Sequence, residues 1–394
     1  MLGTFAKRQH LPLFGLLMVQ LLMGIMLAPR ANFFGIYLHE VITYPVAQVA
    51  QVLALGQIIN MLSAIAAGSL GDRWGHKWVL FLGMIALAAS SLLYNVQIPW
   101  LVIALWGVSS VGMALTTVGG QGYLTMASSA GILGLASALY NWGYTAGGAV
   151  GTPLSTLVLG ENNYFVLGLV LGGFTLLPAL IASFLPQLRP VSNADSKASV
   201  STGYGVFLRR RIILLSLLRF LPTCYYGITS LFPLLIKQQS GDNAAVAWFV
   251  TVSSIFASLT QLAAGRFADR YGVRLPTQIA FSAILVAIVG TIFTIQSIWG
   301  LYVFGTIGIG AAWALSTLLP GMVTTAAEPA VHGRVFGGLH MVWTTAMMVG
   351  TLLGGELMEI DMRLPFMVVG ALNVIALLLT VPFFRPSTPE TAPA

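Results

Sequence analysis

Apolar segments long enough to cross a hydrocarbon layer follow one another along almost the whole chain, and they leave little choice of fold. A transmembrane helix needs about 20 mostly apolar residues to span a core of about 30 Å. Twelve segments meet that length, at 11–38, 46–70, 77–97, 99–125, 131–158, 164–186, 211–236, 244–267, 275–296, 298–325, 331–358 and 363–384. With 57% hydrophobic residues and a mean hydropathy of +0.88, the composition is not that of a water-soluble domain. The expected fold class is therefore an all-α polytopic membrane protein.

Charge placement provides an independent check on the even number of spans. With both termini cytoplasmic, the inner loops and tails hold Lys7, Arg8, Arg73, Lys77, Arg189, Lys197, Arg209, Arg210, Arg211, Arg266, Arg270, Arg274, Arg334 and Arg385, out of 18 Lys and Arg in all. The outer loops hold only Lys237 and Arg363. This is the bias that the positive-inside rule demands. The net charge of +7 thus reads as topology and not as a nucleic-acid footprint, and the expected location is the cell membrane, multi-pass. The first apolar run follows basic residues as a secretory signal does, but it is too long and lacks a small-x-small cleavage site, so it reads as a retained helix. The lone Cys224 lies mid-span and rules out a disulfide framework or a thiol metal site.

Residues 189–211, RPVSNADSKASVSTGYGVFLRRR, are an extended polar stretch between the sixth and seventh spans. It reads as a cytoplasmic linker, residues 189–210, joining a six-helix bundle at 1–188 to another at 211–394. LSAIAAGSLGDRWG at 62–75 aligns with LTQLAAGRFADRYG at 259–272, with seven identities in fourteen positions at an offset of 197 residues. AVGTPL at 149–154 matches MVGTLL at 348–353 at an offset of 199. Two matches at nearly one offset mark an internal repeat, as in transporters built from two related bundles.

In GSLGDRWGHK, residues 68–77, Gly68 lets another helix approach and Gly75 permits a sharp turn. Arg73, His76 and Lys77 hold the loop on the cytoplasmic side, while Asp72 gains most from a defined cation or a helix N-terminus. Twelve spans, a 6+6 repeat and this G-x-L-G-D-R-x-G-x-K motif, with a degenerate copy GRFADRYGVR at 265–274, resemble the major facilitator superfamily. That resemblance implies two rocking bundles around a central cavity lined mainly by helices 1, 2, 4, 5, 7, 8, 10 and 11. It also implies that Asp72 docks at the start of helix 11, HGRVFGG, near Arg334. The expected conformational latch comprises Gly68, Asp72, Arg73, Gly75, Asp269, Arg270 and Arg334. It should be weaker in the second half, where Leu135 stands opposite Arg334 in the repeat and Val273 replaces a family cation. The alternative is that these charges only set topology.

Ionisable residues inside a membrane are costly and usually functional. Arg30, Arg219 and His340 are the candidates, whereas Glu40, Glu161, Asp242, Glu356, Glu359 and Asp361 fall at outer ends. Arg219, Thr223, Tyr226 and Ser230 make one stripe on helix 7, which Pro222 and Pro233 interrupt. Thr251, Ser254, Ser258 and Gln261 read as a second polar face on helix 8. Arg30 either binds an anionic group or snorkels to headgroups, and Arg219 poses the same choice. The repeat pairs His340 with Asn141, a paired polar site for substrate contact, and His340 can carry a coupling proton. Gly143, Gly147 and Gly151 form a face for tight helix contact. Trp106 stands where the family often has an arginine in helix 4. Trp106, Trp142, Trp248, Trp313 and Trp343 either stack on substrate or serve packing. Gly151-Thr152-Pro153 departs from the Gly-Pro signature linked to exporters.

The expected function is secondary transport of a small organic solute by alternating access, with export favoured and with a proton or counter-ion coupled. The substrate site would be Arg30, Asn141, Arg219, Thr223, Tyr226 and His340. No cofactor or metal is called for, and the expected partners are the solute, the coupling ion and membrane lipid, around a monomer. The alternative is uptake or exchange of an organic anion held by Arg30 and Arg219, as the organophosphate antiporters of the superfamily resemble this chain in having arginines in helices 1 and 7. A lipid flippase on the same fold is a further option. A membrane enzyme needs clustered His, Asp or Cys at one face, and the sequence offers none.

Overall fold

The computed structural model describes residues 2–128, 133–160, 162–188, 207–328 and 332–385. Among these, thirteen α-helices and one 3-10 turn follow in the order α1 Leu2–Glu40, α2 Val46–Trp74, α3 His76–Ser90, the 3-10 turn Ser91–Asn95, α4 Pro99–Ala127, α5 Leu133–Leu159 and α6 Tyr164–Phe184. The second set is α7 Arg210–Thr229, α8 Phe232–Ser240, α9 Asn243–Tyr271, α10 Arg274–Thr294, α11 Ile298–Ala326, α12 His332–Met358 and α13 Leu364–Phe383. Eleven segments are long and apolar enough to span a membrane, with α7 and α8 counted as one. The remaining helix, α5, is 27 residues long. Side chains as exposed as Leu157 at 81% and Phe293 at 79% form an apolar outer surface suited to lipid.

The span at 211–236 is interrupted at Pro233, as expected, and divides into α7 and α8. Pro233 in the first turn of α8 has no N–H to give the carbonyl of Thr229, so α7 stops there and α8 restarts at Phe232. Pro222, by contrast, lies within α7 without ending it.

The repeat is visible in the backbone. Gly75 closes α2 with φ of 90° and Gly272 closes α9 with φ of 76°, so both copies of the loop motif make the same left-handed turn. The glycine ladder of α5 also behaves as expected. A Cβ on Gly147 or Gly151 would meet the backbone of α1 at Leu21 to Ile25, and one on Gly350 of α12 would meet the backbone of α7 at Cys224. The pairs α1–α5 and α7–α12 are therefore equivalent close contacts in the two bundles.

The bundles meet along α2 against α12 and α5 against α9. Thr145 and Ser258 share a hydrogen bond of 3.0 Å, and Thr251 Oγ1 donates to the carbonyl of Ala149 at 3.0 Å. This corrects the expectation for the polar face of α9: Thr251 and Ser258 are turned towards α5 and join the bundles, because neighbouring hydroxyls there find partners directly across the contact.

Candidate functional site

We call the end of the molecule carrying Gly75 and Gly272 the basic end, and the end carrying Glu40, Glu356 and Glu359 the acidic end. At the acidic end the bundles are tied by polar contacts. Lys237 Nζ lies 3.8 Å from Glu40 Oε1, Gln51 Nε2 donates to Glu356 Oε1 at 2.7 Å, and the Ala47 N–H donates to Glu359 Oε1 at 3.0 Å. Gln238 and His39 share a 3.1 Å hydrogen bond, and Asn243 Nδ2 donates to Asn162 Oδ1 at 3.2 Å.

The Glu359 contact has a clear local cause. Helix α2 begins after Pro45, whose side chain cannot cap it. Glu359 of the other bundle supplies the missing acceptor and places a negative charge at a positive helix end. Glu359→Ala is expected to weaken this closed end by about 1 kcal/mol, roughly a fivefold shift in population. Labelling of a cysteine introduced at Ala50 should then speed up, and an unchanged rate would count against the cap.

The basic end differs. Gly68 on α2 and Gly337 on α12 have no atom of the described residues within 4 Å of where a Cβ would sit, and Leu62 and Ile65 are 59% and 65% exposed. Asp269 and Arg270 are exposed, as is Arg73. The side chains of Asp72 and Arg334 lie outside the described residues.

Between these ends lies a cavity of about 960 Å³, walled by both bundles. Its wall reaches Gln121 on α4, Met322 on α11 and Phe336 on α12, so it extends towards the basic end. Arg30, Asn141, Arg219, Thr223, Tyr226 and His340 all line it. Ser230, the fourth member of the α7 stripe, does not. It lies past the end of α7 and bonds to the carbonyl of Gly227 at 2.7 Å.

Arg30 does not snorkel. It is 2% exposed, its Nη1 donates to the carbonyl of Leu87 at 3.1 Å, and its own carbonyl accepts from Tyr94 Oη at 2.6 Å. Arg219 is half-buried, with Nη1 donating to Ser316 Oγ at 3.0 Å. His340 stacks on Trp343 with ring centroids 5.7 Å apart. Trp106, Trp313 and Trp343 line the cavity, whereas Trp142 and Trp248 do not and are 44% and 60% exposed. Trp106 is held in place by a 3.0 Å hydrogen bond to the carbonyl of Val52 and by stacking on Phe34 at 4.3 Å.

Several lining residues were missed in the sequence, among them Gln20, Gln57, Asn60, Tyr144 and Ser316. Isolated amides inside apolar spans were the available signal for Gln20, Gln57 and Asn60. The acidic-end contacts had no signal, because each pairs residues far apart in the chain.

Two bundles of membrane helices tied together at one end and sharing a solute-sized cavity have the architecture of a membrane transport protein. The family model of the Major Facilitator Superfamily matches residues 13–319 and 220–394, and the chain belongs to that superfamily. It is a transporter and not an enzyme. The Multidrug resistance protein MdtH of Aeromonas hydrophila is 25% identical over 351 residues, covering 84% of this chain and 85% of that protein. Multidrug resistance protein 1 of Bacillus subtilis is 24% identical over 361 residues, covering 86% and 88%. The class H tetracycline resistance protein of Pasteurella multocida is 26% identical over 183 residues, only 45% of each chain. Among solved structures, the nucleoside transporter NupG superposes with a TM-score of 0.75 at 14% identity, covering 96% of this chain and 100% of that one. At that identity the likeness concerns the fold.

Proposed function

We propose that this transporter moves a small organic solute across the cell membrane by alternating access, with the basic end and both termini in the cytoplasm and export as its direction. The observation carrying this reading is the cavity itself, shared by both bundles and reaching the basic end while the acidic end is tied shut. The likeness to proteins named for multidrug resistance supports export. In this reading the chain divides into bundles at 1–188 and 211–394 joined by a linker at 189–210. Arg30, Asn141, Arg219, Thr223, Tyr226 and His340 contact the solute, with a proton or counter-ion as the coupled species. Asp72 and Arg334 form the latch that closes the cytoplasmic side in the other state, flanked by Gly68, Arg73, Gly75, Asp269 and Arg270.

The test uses purified full-length protein in liposomes, with tetracycline and a lipophilic dye as probes. One spin-label pair is placed at exposed Trp74 and Tyr271, and a second pair at the acidic end. A transported probe should shorten one distance as it lengthens the other. No movement of any probe, together with distances that never change, would sink the proposal. Asp72→Asn should raise the population of the state seen here. Identical populations in variant and parent would remove the latch.

A further inference from the structure

Arg30 is a buried cation whose hydrogen bonding is only half accounted for. Its Nη1 is anchored on the Leu87 carbonyl, which also accepts from the Ser90 and Ser91 hydroxyls at 3.0 Å each. Its Nε and Nη2 are buried and make no hydrogen bond among the described residues. Those two atoms form one edge of the guanidinium, with parallel N–H directions spaced to meet both oxygens of a carboxylate or phosphate. From the other bundle, Arg219 repeats part of the pattern, with Nη1 on Ser316 Oγ and Nε buried with no hydrogen bond among the described residues.

Both arginines line the same cavity, and no described residue lining it is Asp or Glu. Arginine stays charged at any working pH, and a buried cation without a counter-charge is costly. The remaining wall is largely apolar and aromatic, as at Met23, Leu27, Trp313 and Met347.

We propose that the solute is an amphipathic organic anion. Its carboxylate or phosphate monoester is held by the Nε–Nη2 edge of Arg30, Arg219 provides the second cationic contact, and an apolar or aromatic body packs against the Trp313 side of the cavity. This deepens the transport reading and rests on it, because the site is the same cavity.

Four probes with one aromatic body test the proposal: 2-naphthoate, 1-naphthyl phosphate, 2-naphthamide and 2-naphthylmethylammonium, titrated calorimetrically into the purified full chain. At least one of the two anions should bind about tenfold or more tighter than the amide, a difference of about 1.4 kcal/mol. Arg30→Gln should abolish that preference and Arg30→Lys should restore part of it, losing the two-point edge but keeping the charge. If Arg30→Gln is not monodisperse, Arg219→Gln at the half-buried site carries the test, with a reduced preference expected. The inference is overturned if the amide or ammonium binds as tightly, if no probe binds at millimolar concentration, or if the preference survives both Gln substitutions. Dioctanoyl phosphatidic acid as competitor separates the sources. Displacement of naphthyl phosphate assigns the anion site to a lipid headgroup, and its absence assigns the site to a soluble solute, the anionic class being supported in both. Naphthoate binding without counterflow in vesicles would sink the carrier reading alone. Counterflow of the ammonium probe without the anions would sink this inference alone.

Discussion

Bridging Gln51→Cys on α2 to Glu356→Cys on α12 with a short bifunctional thiol reagent is expected to reduce turnover by at least ~20-fold, and cleaving the bridge should restore it. The parent side chains are joined by a 2.7 Å hydrogen bond across the bundle interface and are exposed, so the reagent can reach both positions. Cys224, the chain's lone cysteine, is buried and does not compete. A carrier working by alternating access must part these helices once per cycle, and a tether spanning only the closed separation removes the other state from the ensemble. Each singly substituted protein, treated with the same reagent, should keep most of its rate. Full turnover with the bridge demonstrably formed would mean that α2 and α12 need not separate at the acidic end, contradicting the proposed cycle.

Gly151→Val and Gly350→Val are each expected to destabilise the protein by ~3 kcal/mol or more, at or beyond the upper end of overpacking costs. The reason is geometric. A Cβ on Gly151 would lie 2.5 Å from Ile25 Cα, and one on Gly350 would lie 2.8 Å from Cys224 Cα. Backbone, unlike a flexible side chain, cannot turn away, so the whole helix must move. Gly173→Val provides the comparison, since no atom of the described residues lies within 4 Å of its Cβ position. That change should be neutral or slightly favourable through helix propensity. Thermal melting in detergent, with the monodisperse fraction as a second measure, reads the difference. Similar melting of all three variants would show that the ladder does not hold α5 on α1 or α12 on α7.

Much of this architecture is legible in the order of the residues. The turn glycines Gly75 and Gly272 and the glycine ladder have local or periodic causes, and a helical period of 3.6 residues places Arg219, Thr223 and Tyr226 on one face wherever α7 is put. The break at Pro233 is legible as a residue lacking an N–H, whereas Pro222, read the same way, lies within α7 without ending it. The α9 hydroxyls misled for a related reason. Periodicity finds a polar face but not what that face meets, and here Thr251 and Ser258 meet α5. Arg30 left two readings open because its position along α1 suits both headgroup and interior. The Leu87 carbonyl, 57 residues away, and the enclosing side chains favour the interior.

That this chain crosses a membrane many times and is built from a repeated unit follows from the order of its residues, because crossing lipid is a property of contiguous residues and a repeat is a property of their succession. Which end is tied together and which polar groups share a cavity depend on the packed arrangement of the helices. Glu359 caps α2 from 312 residues away, and Arg30 and Arg219 come together from different bundles. Such contacts depend on how two already formed bundles rest against each other, and no local run of residues encodes that balance.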